Sequence, residues 1–268
     1  MNKAKVFDIQ RTSFVDGPGI RTTVFFKGCN LRCKWCHNPE GLVSEPQLLF
    51  DKSRCTDCGR CVGVTAQSKG FVCFNDAKRI CGREYTVEEL FTELVKDRSF
   101  YENSGGGVTF SGGECMLQID FLCEILKKCR ENGIHTAVDT AGNVPWESFE
   151  RALPYADMFL YDMKLFDCDK HIKYTGVPNE RIKDNLMRLS KVGARIWIRI
   201  PIVTGVNDDV GEITRIRDFT APLSPEKIEL LPYHAMGEHK YGELGLKGEK
   251  FDAPPKEKIE ELKRLFDT

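Results

Sequence analysis

Apolar positions along this chain follow two alternating rhythms. Short runs rich in β-branched and aromatic residues recur at Thr23–Phe26, Gly107–Ser111, His135–Asp139, Met158–Asp162, Arg195–Pro201 and Lys227–Pro232, and each reads as a strand. Between them the spacing becomes helical. Thr86-Val87-Glu88-Glu89 has the form of a capping box, and Val87, Leu90, Phe91, Leu94 and Val95 then follow at i, i+3, i+4, i+7 and i+8, the stripe of a core-facing helix. Leu122, Ile125, Leu126 and Cys129 repeat the stripe before Gly133, Ile182, Leu186 and Leu189 do so before Gly193, and Ile259, Leu262 and Phe266 outline a last helix.

Strands alternating with helices imply a parallel sheet with right-handed crossovers, either doubly wound or closed toward a barrel. Six such units fall short of the eight that close a full barrel. The expected fold is therefore α/β: a partial, laterally open, TIM-like (βα)6 barrel over residues 1–268, interrupted at 50–83 by a small module. That module breaks the cadence, being rich in Gly and Cys and lacking a long periodic run.

With 41% hydrophobic and 29% charged residues and no apolar run of bilayer length, the chain reads as neither disordered nor membrane-spanning. The start, MNKAKVFDIQR, has no apolar export core, which makes a cytoplasmic location the expectation. Thirty-nine basic against 40 acidic residues give a net charge of −1, no footprint for nucleic acid or anionic lipid. Twelve cysteines without an export signal point to metal or cluster chemistry rather than disulfides. Cys123 and Cys129 fall in a helical pattern, and they read, with Cys115 and Cys168, as small apolar groups.

Cys29, Cys33 and Cys36 stand in GCNLRCKWCHNP, in the loop leaving the first predicted strand. Structural zinc usually takes two separated ligand pairs, so a compact triplet is a poor zinc pattern. A cubane [4Fe–4S] cluster normally takes four thiolates, and supplying three leaves one iron open to an outside ligand. The carboxyl ends of the predicted strands, where ligands bind in parallel α/β folds, carry this triplet, then Ser111-Gly112-Gly113-Glu114, Asp139, Asp162 with Lys164, and His234, while Arg199 lies inside the fifth run. Gly112 and Gly113 lack a β-carbon and let backbone approach a ligand. Arg199 sits among Ile196, Trp197, Ile198 and Ile200, where an unpaired charge is expensive. In the insert, CTDCGRC opens a ferredoxin-like run through Cys55, Cys58 and Cys61, but Thr65 stands where the fourth cysteine belongs. A zinc knuckle or a cluster-free remnant is the competing reading of that segment.

The triplet with Trp35 before its last cysteine resembles the signature of radical S-adenosylmethionine (SAM) enzymes. VDGPGIRTTVFFKGC, CHNP, YENSGGGVTFSGGE, VDTAG, YDMK, WIRIP, GVNDD and LLPYHAMGEHKYGELG, in that order from about Phe14 to Leu246, resemble the activating enzymes of glycyl radical enzymes, the pyruvate formate-lyase-activating group. The resemblance implies that a reduced cluster on Cys29, Cys33 and Cys36 passes an electron to SAM, releasing methionine and a 5′-deoxyadenosyl radical. That radical takes a hydrogen from a glycine Cα of a partner glycyl radical enzyme, such as a hydroxyproline dehydratase or a formate-lyase-like enzyme.

It further implies Trp35 near the adenine, Ser111, Gly112, Gly113 and Glu114 at the methionine end, and His234 at the SAM site. Lys164 and Arg199 become candidate catalytic groups that neutralise the SAM carboxylate or stabilise charge near the sulfonium. A monovalent cation is expected by Asp139, Thr140 and Asp162, and the partner's peptide by Asp16, Gly17, Gly105, Gly106 and Gly107. CFNDA resembles the end of a ferredoxin run, which favours Cys73 over Cys81 as the fourth ligand, with Cys55, Cys58 and Cys61, of an auxiliary [4Fe–4S] cluster. A flavodoxin or ferredoxin reductant and a monomeric enzyme are expected, and His37, His135, His171 and His239 receive no role. Two other classes stay open: a radical SAM enzyme acting on a small molecule, and a non-catalytic iron–sulfur electron carrier. Cys115 and Thr204 stand where the family commonly has Pro.

Overall fold

The computed structural model describes residues 2–68 and 70–267. Its strands are β1 (Lys3–Ser13), β2 (Arg21–Phe26), β3 (Gln47–Phe50), β4 (Lys78–Cys81), β5 (Arg83–Thr86), β6 (Gly107–Gly112), β7 (His135–Thr140), β8 (Met158–Asp162), β9 (Ile196–Ile202) and β10 (Lys227–Pro232). The helices are α1 (Val87–Leu94), α2 (Arg98–Ser104), α3 (Ile119–Glu131), α4 (Trp146–Ala152), α5 (Cys168–Thr175), α6 (Glu180–Lys191), α7 (Val210–Thr220), α8 (Glu238–Glu243) and α9 (Lys256–Lys263).

The six expected strands form one parallel array, β10-β9-β8-β7-β6-β2. The sheet then continues where the sequence pattern was silent, through β1, antiparallel to β2, and β5, antiparallel to β1. The reason β1 escapes a periodicity reading is visible in its burial: Ala4, Val6 and Ser13 are covered, whereas most of the strand between Phe7 and Thr12 is polar and only partly covered.

Side chains alternate between the two faces of each strand. Val24, Phe26, Val108, Phe110, Val138, Phe159, Tyr161, Ile198 and Ile200 pack under the helices with Leu90, Leu126, Leu186 and Ile213, forming the main core. The opposite face carries Thr23, Thr109, Ser111, Asp139, Asp162 and Arg199, and it is concave. In a flat sheet β2 and β9 would lie about 19 Å apart, four inter-strand steps. Yet Asp16 is bonded to Thr23 of β2 at 2.8 Å and stands 3.7 Å from the Arg199 guanidinium of β9.

The predicted capping box forms at Thr86 and Glu89. The insert rides on an antiparallel ribbon in which β3 pairs with β4, Gln47 facing Cys81 and Phe50 facing Lys78. Between the two strands, one short 3-10 turn at Lys52–Arg54 is the regular structure described. Among the described residues no helix is long and apolar enough to cross a membrane. All twelve cysteines are free.

Candidate active site

A cavity of about 420 Å³ opens at the carboxyl ends of the parallel strands. The loop leaving β2 enters it first. Gly28 turns this loop through a left-handed φ of +94°, and Arg32 and Lys34 donate backbone bonds to Thr175 and Tyr174 at the end of α5. That anchoring points Cys29, Cys33 and Cys36 into the cavity with Trp35 among them. Trp35 is 7% exposed and packs on Tyr174 and Phe251.

The strand ends supply the polar wall. Ser111, Gly112 and Gly113 come from β6, Asp139 and Thr140 from β7, Asp162 and Lys164 from β8, and Arg199 from β9. The two glycines are required by the fold itself. Gly112 has φ +118°, and a Cβ on Gly113 would stand 2.3 Å from the Gly28 carbonyl and 2.4 Å from that of Gly41. Backbone therefore presses against backbone where the cysteine loop crosses β6.

Charge is concentrated beside them. Arg199 donates to Asp139 at 2.6 Å and to Asp162 at 3.2 Å, and Lys164 donates to the second Asp162 oxygen at 2.7 Å. Burial pushes Asp139 up to about 6 against the opposing pull of Arg199. For Asp162 burial also acts upward, but Lys164 and Arg199 outweigh it and hold this carboxyl below its ordinary value. The same contacts raise Lys164 and Arg199 despite their burial. In this structure Arg199 and Lys164 are both paired with aspartates, and these two side chains offset the charge of Asp139 and Asp162. Asp139 spends its other oxygen on the Ser111 hydroxyl.

Glu114 stands apart from these residues. It does not reach the cavity wall. Fully buried behind the loop, it accepts from the Thr140 hydroxyl at 2.9 Å, the Ala141 N–H at 3.0 Å and the Met116 N–H at 3.2 Å, and burial pushes it up to about 7. It is a clamp between the ends of β6 and β7. Asp16 does line the cavity, but Gly17 lies against Arg21, outside it. Gly105, Gly106 and Gly107 sit at the start of β6, a strand's length of about 17 Å from the cysteine loop. At two of them the missing side chain serves the chain's own packing: a Cβ on Gly106 would meet the Ile20 carbonyl at 1.9 Å, and one on Gly107 the His135 carbonyl at 2.0 Å, whereas Gly105 has open space and caps α2 at φ +65°.

His234 reaches the rim, and the structure adds a neighbour left without a role: the rings of His37 and His234 lie 4.1 Å apart, and both face the cavity beside Tyr233. The signal was the position of His37, next to Cys36. Its buried Nε2 has no hydrogen-bond partner among the described residues.

The donor set fits a cubane. Burial pushes Cys29 and Cys33 up to about 12 and Cys36 to about 11, so each thiol holds its proton until a metal displaces it. No three His, Cys, Asp or Glu groups among the described residues stand at single-ion spacing, and a cubane binds each thiolate at a separate corner, farther apart than one ion does. In the insert, Cys55, Cys58, Cys61 and Cys73 line a second cavity, of about 530 Å³. The Cys73 thiol is held below its ordinary value, chiefly by the nearby backbone N–H groups of Lys78 and Asn75. Cys81 stays buried at the foot of the ribbon, away from this cavity.

The family model described as the radical SAM superfamily matches residues 23–215. The trans-4-hydroxy-L-proline dehydratase activating enzyme of Clostridioides difficile is 46% identical, with 98% of this chain and 96% of that protein covered. The choline trimethylamine-lyase activating enzyme of Oleidesulfovibrio alaskensis is 40% identical over 91% of this chain and 87% of its own. Among solved structures, a domain of a pyruvate-formate lyase-activating enzyme from Bacteroides vulgatus superposes with a TM-score of 0.53 at 36% identity, covering 61% of this chain and 94% of that one. A radical SAM methyltransferase from Sphaerobacter thermophilus, at 14% identity and a TM-score of 0.58, covers all of this chain and 73% of its own and shares the fold. The chain belongs to the radical SAM superfamily and, within it, to the activating enzymes of glycyl radical enzymes.

Proposed function

We propose that this enzyme installs the glycyl radical of a dehydratase-type partner, one that acts on a hydroxylated proline. The observation that carries the site assignment is the meeting, in one cavity, of three half-buried thiols and the Asp139–Arg199–Asp162–Lys164 network at the carboxyl ends of the parallel strands. The partner class is supported by the 46% identity to an activating enzyme of that type across nearly the whole of both chains.

Cys29, Cys33 and Cys36 would hold the [4Fe–4S] cluster, which when reduced supplies the electron that cleaves SAM. Trp35 and Val203 give the adenine an apolar wall, and the Gly112–Gly113 backbone lies where the methionyl end would rest. Arg199 and Lys164 hold Asp139 and Asp162 in fixed orientation, so acceptors for the SAM ammonium and ribose need no reorganisation on binding. Asp16 reaches the cavity from the β1–β2 loop and would meet the partner's glycine-bearing segment. Cys55, Cys58, Cys61 and Cys73 would hold an auxiliary cluster, and a flavodoxin- or ferredoxin-type protein would reduce the monomeric enzyme.

The test is anaerobic reconstitution followed by reduction with dithionite in the presence of SAM and a purified hydroxyproline dehydratase. A glycyl radical signal in the electron paramagnetic resonance spectrum, with 5′-deoxyadenosine formed alongside it, is expected. Nucleoside formed without a glycyl signal, which then appears with a choline lyase or formate-lyase partner, would overturn the partner assignment.

A further inference from the structure

The insert differs from the rest of the chain in charge. Positions 50–83 carry seven lysines and arginines against three aspartates and no glutamate, in a chain whose total is −1. The barrel is thus acidic and the insert basic. Three apolar side chains there are at least 70% exposed: Val62 at 85%, Val72 at 70% and Phe74 at 78%.

The two properties coincide at the mouth of the four-cysteine cavity. Val72 and Phe74 line it with Arg60 and Lys78. The Arg60 guanidinium lies 4.8 Å from the centre of the Phe74 ring, and the Lys78 ammonium lies 5.9 Å from that of Phe50. Elsewhere in the insert Arg54 and Arg79 are matched by Asp51 and Glu243, but Arg60 and Lys78 meet aromatic rings instead of carboxylates. An apolar centre bordered mainly by positive charge, Arg60 and Lys78 against Asp57, has the composition of a protein interface, in which the charges steer the encounter and the aromatic and arginine groups anchor it. Cys58 is exposed at the same place.

We infer that this mouth is the docking surface for an acidic protein carrying a low-potential one-electron centre. The inference rests on the proposed auxiliary cluster. Cys55, Cys58, Cys61 and Cys73 would hold the acceptor; one electron would pass to it from the carrier, oxidising the carrier and reducing the acceptor, with no bond formed or broken and no proton moved. Nucleic acid suits the surface less well, because Val62 and Val72 offer neither charge to phosphate nor a stacking face to a base, and the Arg60 guanidinium already lies over the Phe74 ring.

The test uses reconstituted full-length enzyme and a purified acidic flavodoxin as the probe, with binding measured by calorimetry at low and high salt. The Arg60→Glu, Lys78→Glu double variant should bind about tenfold more weakly and lose most of its salt dependence. Phe74→Ser should weaken binding by about fivefold while keeping the salt dependence. Lys256→Glu, on α9, should change it by less than about twofold. Iron content is measured for each. Unchanged affinity in the double variant at full iron loading overturns the inference, as does equal weakening by Lys256→Glu or tighter binding of a single-stranded RNA at the same salt. Failure of the underlying cluster reading shows separately, as iron content that does not fall when Cys55 and Cys58 are both replaced by Ala.

Discussion

The molecule holds cysteines in two contrasting ways. At the barrel mouth Cys29, Cys33 and Cys36 are carried by a loop bonded to β6 and α5, and burial raises all three thiols. In the insert Cys55, Cys58, Cys61 and Cys73 sit on irregular backbone, and peptide N–H groups lower the Cys73 thiol. The first setting suits a group that must be shielded and reached by one ligand, the second a group exchanging electrons at the surface. What separates them is the scaffold: a parallel sheet delivers convergent strand ends, and a ribbon with a loop delivers proximity to solvent.

The contrast can be broken most severely at its buried end. Cys33→Ala should bring 5′-deoxyadenosine formation to background, and persistence of the nucleoside would refute the triplet's role. Next comes Arg199→Ala. Removing one member of a buried ionic network leaves Asp139 and Asp162 uncompensated, a cost of about 3–5 kcal/mol visible in chemical denaturation. Arg199→Lys should recover part of it.

Glu114 sharpens the comparison through pH. Its folded value, about 7, lies above its ordinary 4.5, so the stability linked to its proton is full below pH 4.5 and is lost as pH rises through 7. The loss amounts to about 3 kcal/mol. Glu114→Gln should flatten the pH dependence of stability between pH 5 and 8, and an unaltered profile would contradict the burial argument. At the exposed end, the Cys55→Ala, Cys58→Ala double variant should halve the iron while changing stability by less than about 1 kcal/mol. The smallest effect belongs to Cys81→Ala, whose iron content should equal that of the parent.

The six parallel strands were legible because apolar runs recur along them, and the helices because one stripe of each faces the core. The β1 strand was hidden because its apolar positions change phase, from Ala4 and Val6 to Phe7 and Ile9, at a register shift between Val6 and Asp8, and its remaining residues are polar. At the site, the motifs marked which strand ends mattered, and the cavity gathers Cys29 to Cys36, Asp139, Asp162, Lys164, Arg199 and His234. They did not reveal where side chains point. Glu114 follows two glycines in the wall yet turns inward to Thr140 and Ala141. Gly105–Gly107 belong to a motif that ends at the site but begin a strand at its far end. The pairing of Arg199 with aspartates from two neighbouring strands depends on register, which spacing along one strand does not encode.

The ribbon of β3 and β4 has an architectural corollary. Because Phe50 and Lys78 face each other across it, the polypeptide leaves and returns at nearly the same point. Excising what lies between and joining the ends with a tight turn would leave the barrel's connectivity intact. Lengthening, trimming or exchanging that excursion would therefore be a local change, one that leaves the chamber's own strands in place.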